Sequence, residues 1–280
     1  MAAVFLRFPE GRRKALTFSY DDGHPCDERL INIFDKYGLK GTFNINYESF
    51  VNRYGSTEEE LQKRVDLFKN HEVAVHGLTH PHLNPISQST ITTEIYKDRE
   101  GLESLFGYII TGMAYPFFRA GGEATDTAMK ACGIKYGRVT PPTHNFKFPT
   151  DWYNWNPTCH HKDLQLMELG KEFLETEVQQ YSLLFYVWGH SYEFDKDDNW
   201  EIMEEFAPYI SGKDEVWYAT NMEIYNYLEA FKQLEWSLDS SKVFNPTAYK
   251  IWFTFRDGRR HFSTGEYADF VINPGETLTF

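Results

Sequence analysis

Short apolar runs alternate with amphipathic segments along most of the chain. The apolar run at 15–18 predicts a strand at 14–19. The next segment, 27–37, predicts a helix because Leu30, Ile33 and Phe34 recur on one face. The same alternation predicts further strands at 41–46, 73–76, 112–115, 134–139, 182–188 and 216–219. Between them it predicts helices at 57–70, 89–106, 124–132, 164–179, 200–210 and 222–234. Such a repeated strand–helix order implies a parallel sheet with helices outside it.

The number of strand–helix repeats favours a closed barrel over an open sheet. In a barrel of this kind the chemistry lies at the C-terminal ends of the strands. The pattern changes near the C-terminus, where short strands are predicted at 243–244, 249–255, 267–272 and 277–280 without any helix. We therefore predict an α/β protein with a barrel domain at 1–238 and a small antiparallel β appendage at 239–280.

Charge and cysteine content exclude several classes of partner and site. The chain has 280 residues and a formal net charge of −13, and it contains no basic stretch that would follow a phosphate backbone. Nucleic acid and anionic membranes are therefore not expected partners. The three cysteines are odd in number and form no CxxC pair, which argues against a disulfide framework and excludes a cysteine-rich zinc site.

No targeting or spanning segment is evident in the sequence. No apolar run reaches the length of a transmembrane helix, and the apolar stretch at the N-terminus is too short for a signal peptide. We therefore expect a cytoplasmic protein, with an extracytoplasmic location as the alternative if a leader has been removed.

Polar residues follow three of the predicted strands at the point where each strand ends. Asp21 and Asp22 follow the first strand, His76 and His80 follow the third, and His190 follows the late strand at 182–188. In a β/α barrel these strand ends converge on one mouth. The sequence therefore predicts a single cluster of carboxylates and imidazoles.

Two histidines four residues apart, joined by a carboxylate from another strand, form an N,N,O ligand set. That set suits Zn²⁺ and leaves positions open for water and substrate. A bound metal lowers the pKa of water towards neutrality and polarises a carbonyl. A second carboxylate can take the proton of the water, and a histidine opposite can protonate a leaving group. An Asp-Asp-Gly turn or an HxxxH pair alone is a weak signal, but their joint occurrence at strand ends is much rarer.

These motifs resemble those of the polysaccharide deacetylase family, the NodB-homology group or carbohydrate esterase family 4. The resemblance covers about residues 14–230 and depends on Thr17-Phe-Ser-Tyr-Asp21-Asp22-Gly23, His76-Gly-Leu-Thr-His80, Tyr115-Pro116 and Trp188-Gly-His190. It implies a deformed (β/α)7 barrel with one divalent metal, with zinc first and nickel or cobalt as alternatives. It also implies a hydrolase that removes N-acetyl or O-acetyl groups from a carbohydrate.

The resemblance assigns roles to individual residues by their position in the motifs. Asp21 takes the place of the general base, and Asp22, His76 and His80 take those of the metal ligands. His190 takes the place of the general acid. Five further residues are candidates for substrate binding: Tyr115, Pro116, Arg119, Arg138 and Trp188.

The sequence departs from the family pattern at three motifs. Gly77 stands where the family usually has serine or threonine, and Ala114 stands where it usually has an arginine that orients the base. Arg119 and Arg138 are the candidates to replace that arginine. Asp151-Trp152 is a candidate remnant of the fourth motif.

The loop at 152–161 is rich in aromatic and histidine residues. It has two interpretations, a substrate-binding wall and a lid packed on the barrel by its own rings. His160 and His161 suggest a second metal site, but Asp163 is the only nearby carboxylate with clear ligand spacing. We therefore do not expect a second site there.

Two other functions remain open at this stage. The same site would suit a non-sugar cyclic amide or ureide, since the motif arginine is missing. A catalytically silent carbohydrate-binding protein is the alternative outside the enzymes. The exposed edges of the β appendage also leave a homo-oligomer open.

Overall fold

The computed structural model describes residues 2–84, 86–119, 122–258 and 267–280. Its strands are, in chain order, β1 (Ala3–Arg7), β2 (Lys14–Asp21), β3 (Gly41–Ile45), β4 (Glu72–Val75), β5 (Gly112–Ala114), β6 (Tyr136–Arg138), β7 (Cys159–His160), β8 (Leu183–Gly189), β9 (Val216–Tyr218), β10 (Glu235–Trp236), β11 (Lys242–Phe244), β12 (Ile251–Arg256), β13 (Tyr267–Ile272) and β14 (Thr277–Thr279). Eight of these strands, β2 to β9, form one parallel sheet.

The parallel sheet curls into a barrel. Its strand order is β6-β5-β4-β3-β2-β8-β7, and β9 pairs with the first half of β2. An isolated parallel bridge between Arg138 and Trp155 joins β6 to the segment that leads into β7, across the gap between the two ends of the sheet. The predicted deformed (β/α)7 barrel, with extra antiparallel strands after it, is therefore confirmed.

Helices occupy most of the connections between the parallel strands. They are α1 (Asp27–Tyr37), α2 (Tyr47–Tyr54), α3 (Glu58–Leu67), α4 (Gln88–Phe106), α5 (Gly122–Ala131), α6 (Leu166–Glu175), α7 (Tyr192–Lys196), α8 (Glu201–Ile210) and α9 (Asn221–Lys232), with short 3-10 turns at Pro9–Gly11 and Trp152–Asn154. The pattern did not predict α2 or α7, because eight and five residues are too few for a clear helical period. Among the described residues, no helix combines the length and apolarity needed to cross a bilayer.

Strand β2 runs through the centre of the sheet and separates two cores. All eight of its residues are buried. Because side chains alternate across a strand, Leu16, Phe18 and Tyr20 pack with the outer helices. The alternate position Ala15 joins a second cluster inside the barrel, and Asp21 ends the same inward row. The strand therefore ends with the Asp21 carboxylate at the mouth of the barrel.

The N-terminus of α9 fills the lower barrel with a hydrogen-bonded polar network. Asn221 accepts from Thr17 at 2.9 Å and donates to the Tyr186 hydroxyl at 2.6 Å. Next to it, Glu72 at the start of β4 is buried. Its carboxylate accepts hydrogen bonds from the Tyr136 hydroxyl at 2.6 Å, the Thr42 hydroxyl at 2.8 Å and the Met222 backbone N–H at 2.8 Å.

Burial raises the pKa of Glu72 to about 7 from 4.5, although its hydrogen bonds oppose the shift. The folded protein therefore holds a proton that the unfolded chain releases above pH 4.5. Stability is expected to fall as pH rises from 4.5 to about 7, by about 3 kcal/mol. Glu72→Gln keeps the neutral shape and is expected to remove this part of the pH dependence, as measured by urea unfolding between pH 5 and 8.

The exposed Glu205→Gln in α8 is the matched control and should leave the pH dependence of unfolding unchanged. If Glu72→Gln and wild type lost stability in parallel across this range, Glu72 would be ionised in the fold throughout.

The C-terminal strands form two small antiparallel sheets, with orders β1-β12-β13 and β10-β11-β14. Strand β1 pairs with β12 along its whole length, from Ala3 opposite Arg256 to Arg7 opposite Trp252. The predicted division at residue 238 therefore cuts across both sheets, since β1 and β10 lie on its barrel side. Residues from β12, α9 and the barrel interior share one buried cluster, so the appendage extends the barrel core.

Candidate active site

The ends of β2, β4 and β8 bring five sequence-predicted residues together. His76 Nε2 lies 3.6 Å from Asp22 Oδ1 and 3.8 Å from Asp21 Oδ2. His80 Nε2 lies 3.6 Å from the same Asp22 oxygen. On the other side, His190 Nε2 lies 3.8 Å from Asp21 Oδ2. The cluster expected from the strand ends is thus present as one site.

Backbone geometry at two site residues is unusual. Asp22 has a φ of 79° and His80 a φ of 55°, in the left-handed region that side chains other than glycine rarely adopt. Residues held in this way concentrate at functional sites, where the surrounding structure imposes the conformation. Here the imposed turns aim both side chains at the same point.

The His76–His80 loop is held by groups other than the family's hydroxyl. Gly77 has a φ of 78°, a conformation that favours glycine. Asn46 Nδ2 donates to the carbonyls of His76 at 2.7 Å and Gly77 at 2.6 Å. Glu94 accepts from both the backbone N–H of Thr79 at 2.9 Å and its hydroxyl at 3.0 Å. Two neighbouring side chains, Asn46 and Glu94, therefore hold the loop on either side of Gly77.

Asp98 of α4 anchors the start of the same loop. This buried carboxylate accepts from the backbone N–H of His76 at 2.8 Å and that of Tyr47 at 2.6 Å. Burial raises the pKa of Asp98 to about 8, against the effect of these donors. Asp98 thereby fixes the end of β4 relative to α2.

The donor set of Asp22, His76 and His80 fits a divalent cation. The three ligand atoms lie within 4.8 Å of one another. His76 Nδ1 is 2.9 Å from the Ala114 carbonyl, an arrangement that places the ring proton on Nδ1 and the lone pair on Nε2. His76 Nε2 is buried and has no hydrogen-bond partner. An imidazole lone pair left free beside a carboxylate and a second imidazole is what a zinc ligand requires.

Asp21 is ionised and held on two sides. Arg138 Nη2 donates to both of its oxygens, and Asn44 Nδ2 donates to Oδ1 at 2.8 Å. Burial favours the protonated carboxyl, but Arg138, His76 and His190 outweigh it and lower the pKa of Asp21 to about 2. Oδ1 therefore accepts from two donors and Oδ2 from Arg138 alone, and Oδ2 also faces the two imidazoles.

Arg138, and not Arg119, reaches Asp21. Arg138 is fully buried on β6, directly opposite Ala114 of β5 in the parallel register. Its guanidinium also lies 4.6 Å from the centre of the Trp188 ring. Arg119 instead pairs with Asp126, at 2.9 and 2.8 Å from its two oxygens. The arginine that the family places at the position of Ala114 is therefore matched in space by one from the adjacent strand.

His190 lies between Asp21 and a carboxylate that sequence reasoning missed. Its Nδ1 is 3.4 Å from Glu193 Oε2, and its Nε2 faces Asp21. Burial lowers the pKa of His190, but Glu193 and Asp21 outweigh this effect, so the pKa is raised above its usual 6.5. Glu193 follows His190 by three positions, within one turn after β8. This spacing is the signal in the sequence that could have identified Glu193.

Tyr115 and Pro116 are buried rather than open to the mouth of the barrel. The Tyr115 hydroxyl donates to the Tyr153 carbonyl at 2.8 Å. The next two residues are exposed instead: Phe117 by 47% and Phe118 by 54%. The Phe117 ring stacks on His82 at 3.7 Å and lies 4.5 Å from the His80 ring, so this aromatic surface adjoins the candidate metal ligands.

The loop at 152–161 divides into two parts. Trp155 is buried against Tyr136 and Tyr186, and Trp152 Nε1 donates to Glu229 at 2.6 Å, so the aromatic part packs on the barrel. The histidine part continues as β7 beside β8 and carries His160 and His161 towards His190 and Glu193.

The fold places this protein among the curled (β/α)7 barrels. Its site consists of carboxylates and imidazoles at the ends of the barrel strands. The family model described as polysaccharide deacetylase matches residues 9–137. The resemblance to the polysaccharide deacetylase family that the motifs predicted is confirmed over these residues. The matched range contains Asp21, Asp22, His76 and His80, whereas Arg138 and His190 lie beyond it.

Solved structures share the fold at low sequence identity. A Mycobacterium smegmatis protein ascribed to the polysaccharide deacetylases has a TM-score of 0.59 and 17% identity, covering 81% of this chain and 94% of that one. Puue allantoinase has a TM-score of 0.59 and 12% identity, covering 78% and 91%. A family 4 acetyl xylan esterase from Clostridium thermocellum, in complex with a cobalt ion, has a TM-score of 0.51 and 12% identity, covering 76% and 90%.

Proposed function

We propose that this protein is a metal-dependent hydrolase that removes N-acetyl or O-acetyl groups from a carbohydrate. The observation that carries the proposal is the free Nε2 of His76, which faces Asp22 and His80 with Asp21 and His190 beside it. Asp22, His76 and His80 would hold one divalent ion, with zinc as the first choice. When bound, the ion would polarise the acyl carbonyl and acidify a water molecule.

Asp21 acts as the base in this proposal. Its low pKa keeps the carboxylate ionised at neutral pH, and Arg138 and Asn44 fix its orientation. Because Oδ1 accepts from both of these donors and Oδ2 from Arg138 alone, Oδ2 is the atom that takes a proton from the attacking water. A positioned base of this kind typically contributes about 10²–10⁴-fold to the rate.

His190 acts as the acid from the opposite side of Asp21. Its raised pKa enlarges the protonated fraction near neutral pH, which a proton donor requires. Glu193 Oε2 lies 3.4 Å from Nδ1, on the side of the ring away from Asp21, and Nε2 faces Asp21 at 3.8 Å. His190 Nε2 would then donate its proton to the leaving nitrogen or oxygen of the sugar.

The exposed aromatic surface supports a carbohydrate as substrate. Phe117 lies beside the candidate ligand His80, and the exposed Phe118 lies 6.0 Å from His82 next to it. Flat apolar ring faces suit the C–H face of a sugar ring. A non-sugar cyclic amide or ureide is the second candidate. The observations in its favour are Ala114 in place of the motif arginine and the fold shared with an allantoinase.

Metal content and acetate release test the proposal together. Wild type dialysed against low zinc should hold about one divalent ion per chain by elemental mass spectrometry, and Asp22→Ala should lose it. The exposed Asp66→Ala is the matched control and should keep the ion. Acetate release from N-acetyl and O-acetyl sugars should be present in the proteins that hold the ion and absent in Asp22→Ala.

Two results would contradict this function. Wild type that stays free of metal after zinc dialysis would remove the hydrolase proposal and favour a binding protein. A metal-loaded protein that opens cyclic amides while leaving acetylated sugars intact would replace the substrate class.

A further inference from the structure

Three imidazoles converge on one carboxylate oxygen next to the proposed acid. Glu193 Oε2 lies 3.0 Å from His160 Nε2, 3.4 Å from His190 Nδ1 and 3.5 Å from His161 Nε2. The nitrogen atoms of His160 and His190 and the Glu193 oxygen lie within 4.8 Å of one another. The side chains of these three residues are partly exposed, by 16–23%, so an ion can reach them from solvent.

His161 gives this cluster a buried wall. Its side chain is fully buried, and neither ring nitrogen has a hydrogen-bond partner. The ring stacks between Phe194 at 4.2 Å and Tyr20 at 5.6 Å. A side chain at position 189 would overlap with the His161 ring, so the ring can occupy this place only because residue 189 is glycine. The unpartnered Nε2 is therefore aimed at Glu193 by a built environment.

Glu193 is available to a cation on one side only. Its other oxygen, Oε1, lies 3.0 Å from Lys162 Nζ, which also contacts Asp197 Oδ2 at 2.9 Å. Lys162 neutralises part of the charge and leaves Oε2 facing the imidazoles. His160 Nδ1 accepts from the backbone N–H of Lys162 at 3.1 Å, so His160 Nε2 carries the ring proton and must release it, and give up this contact, before it can bind an ion. With that proton released, two imidazole nitrogens and one carboxylate oxygen form a set that suits Zn²⁺, with an open fourth position.

We propose that His160, His190 and Glu193 form a second divalent-cation site, filled at zinc concentrations above those that fill the Asp22–His76–His80 site. The presence of Lys162 beside Glu193 makes the second site the weaker of the two, because the ion must share the carboxylate with an ammonium group. Sequence reasoning considered only Asp163 as a carboxylate for this site, but that residue pairs with His144 at 2.6 Å.

Occupation of the second site would inhibit the enzyme, a consequence that rests on the proposed function. An ion on His190 Nδ1 uses the lone pair that must carry a proton in the imidazolium form. The ring then keeps a proton only on Nε2, where it is a much weaker acid than in the imidazolium form, so proton transfer to the leaving group slows. Excess zinc should therefore lower activity that the first equivalent of zinc had produced.

Binding of an ion at the second site is tested in the Asp22→Ala variant, because this variant lacks a ligand of the first site. This protein, dialysed against rising zinc chloride and analysed by elemental mass spectrometry, should still bind about one ion per chain. Adding His160→Asn should weaken that binding at least about tenfold. His144→Asn, which removes an imidazole outside the cluster, is the matched control. Asp22→Ala protein that binds no zinc, or binding that His160→Asn leaves unchanged, would overturn the site.

The inhibitory role of the second site is tested by measuring acetate release at high and at low zinc. The ratio of the two activities is calculated for each protein. Wild type should show a fall at high zinc, and His160→Asn should show none. A wild type without that fall would overturn the inhibitory role even if the ion binds. If no substrate is turned over at all, the proposed function fails, whereas the dialysis result on Asp22→Ala still decides the second site.

Discussion

Replacing Arg138 with methionine is expected to lower the free energy of unfolding at pH 7 by about 3–5 kcal/mol. Arg138 is fully buried, and its partner Asp21 has an exposure of only 2%. The substitution leaves that carboxylate in the barrel without its cation. Chemical unfolding monitored by tryptophan fluorescence measures the loss. Acetate release should fall with it, because Asp21, the proposed base, is no longer oriented.

The sign of the pH dependence separates this cause from a simple loss of packing. In the wild type the pKa of Asp21 is lowered to about 2 from 3.8, so the pair stabilises the fold above pH 3.8 and the contribution disappears as pH falls through about 2. Without Arg138, burial raises the pKa of Asp21. The deficit of Arg138→Met should therefore shrink as pH falls towards the usual carboxyl range.

Two further variants control this prediction. Arg119→Met removes the other arginine considered for the role, and its partly exposed pair with Asp126 should contribute no more than about 1 kcal/mol. In the double variant Arg138→Met with Asp21→Asn both charges are gone. Its loss should be smaller than the sum of the single losses by about 2–3 kcal/mol. Additive losses would mean that the two residues do not act as a pair.

Asp21→Asn is expected to reduce kcat for acetate release by about 10²–10⁴-fold while the divalent ion stays bound. The amide keeps the size of the side chain and removes the acceptor at Oδ2, whereas Asp22, His76 and His80 are untouched. The same change also leaves the Arg138 charge unpaired, so the variant should unfold more easily. Kinetics must therefore be measured well below its unfolding temperature, with the ion content determined on the same sample.

Asp163→Asn provides the comparison for Asp21→Asn, since that carboxylate pairs with His144 outside the cluster. It should keep both turnover and metal. Undiminished turnover in Asp21→Asn would exclude Asp21 as the base. Loss of the ion in Asp21→Asn would instead make Asp21 a ligand and reopen the division of roles between the two aspartates.

The sequence predicted the parallel barrel well because its strands carry strong local signals. The helix at 27–37 has the predicted bounds, and the strand that ends at Asp21 was predicted over 14–19 from the short run at 15–18. The boundary of the appendage was less predictable, because β1 finds its partner, β12, at the opposite end of the chain. Pairing between segments so distant leaves no trace in local periodicity.

The candidate site was predictable where spacing along one strand end creates it, as with Asp21–Asp22 and His76–His80. By itself the sequence determined these ligand and base candidates, because adjacent residues at the end of a buried strand must emerge at the same mouth. Only the tertiary structure decided between Arg138 and Arg119, since the register of β5 against β6 places Arg138 beside Ala114. Only the tertiary structure shows that Glu193 contacts His160 and His161, which lie about thirty residues earlier in the chain. They meet because β7 and β8 lie side by side. Contacts across strands depend on register and curvature, which no single segment of the chain encodes.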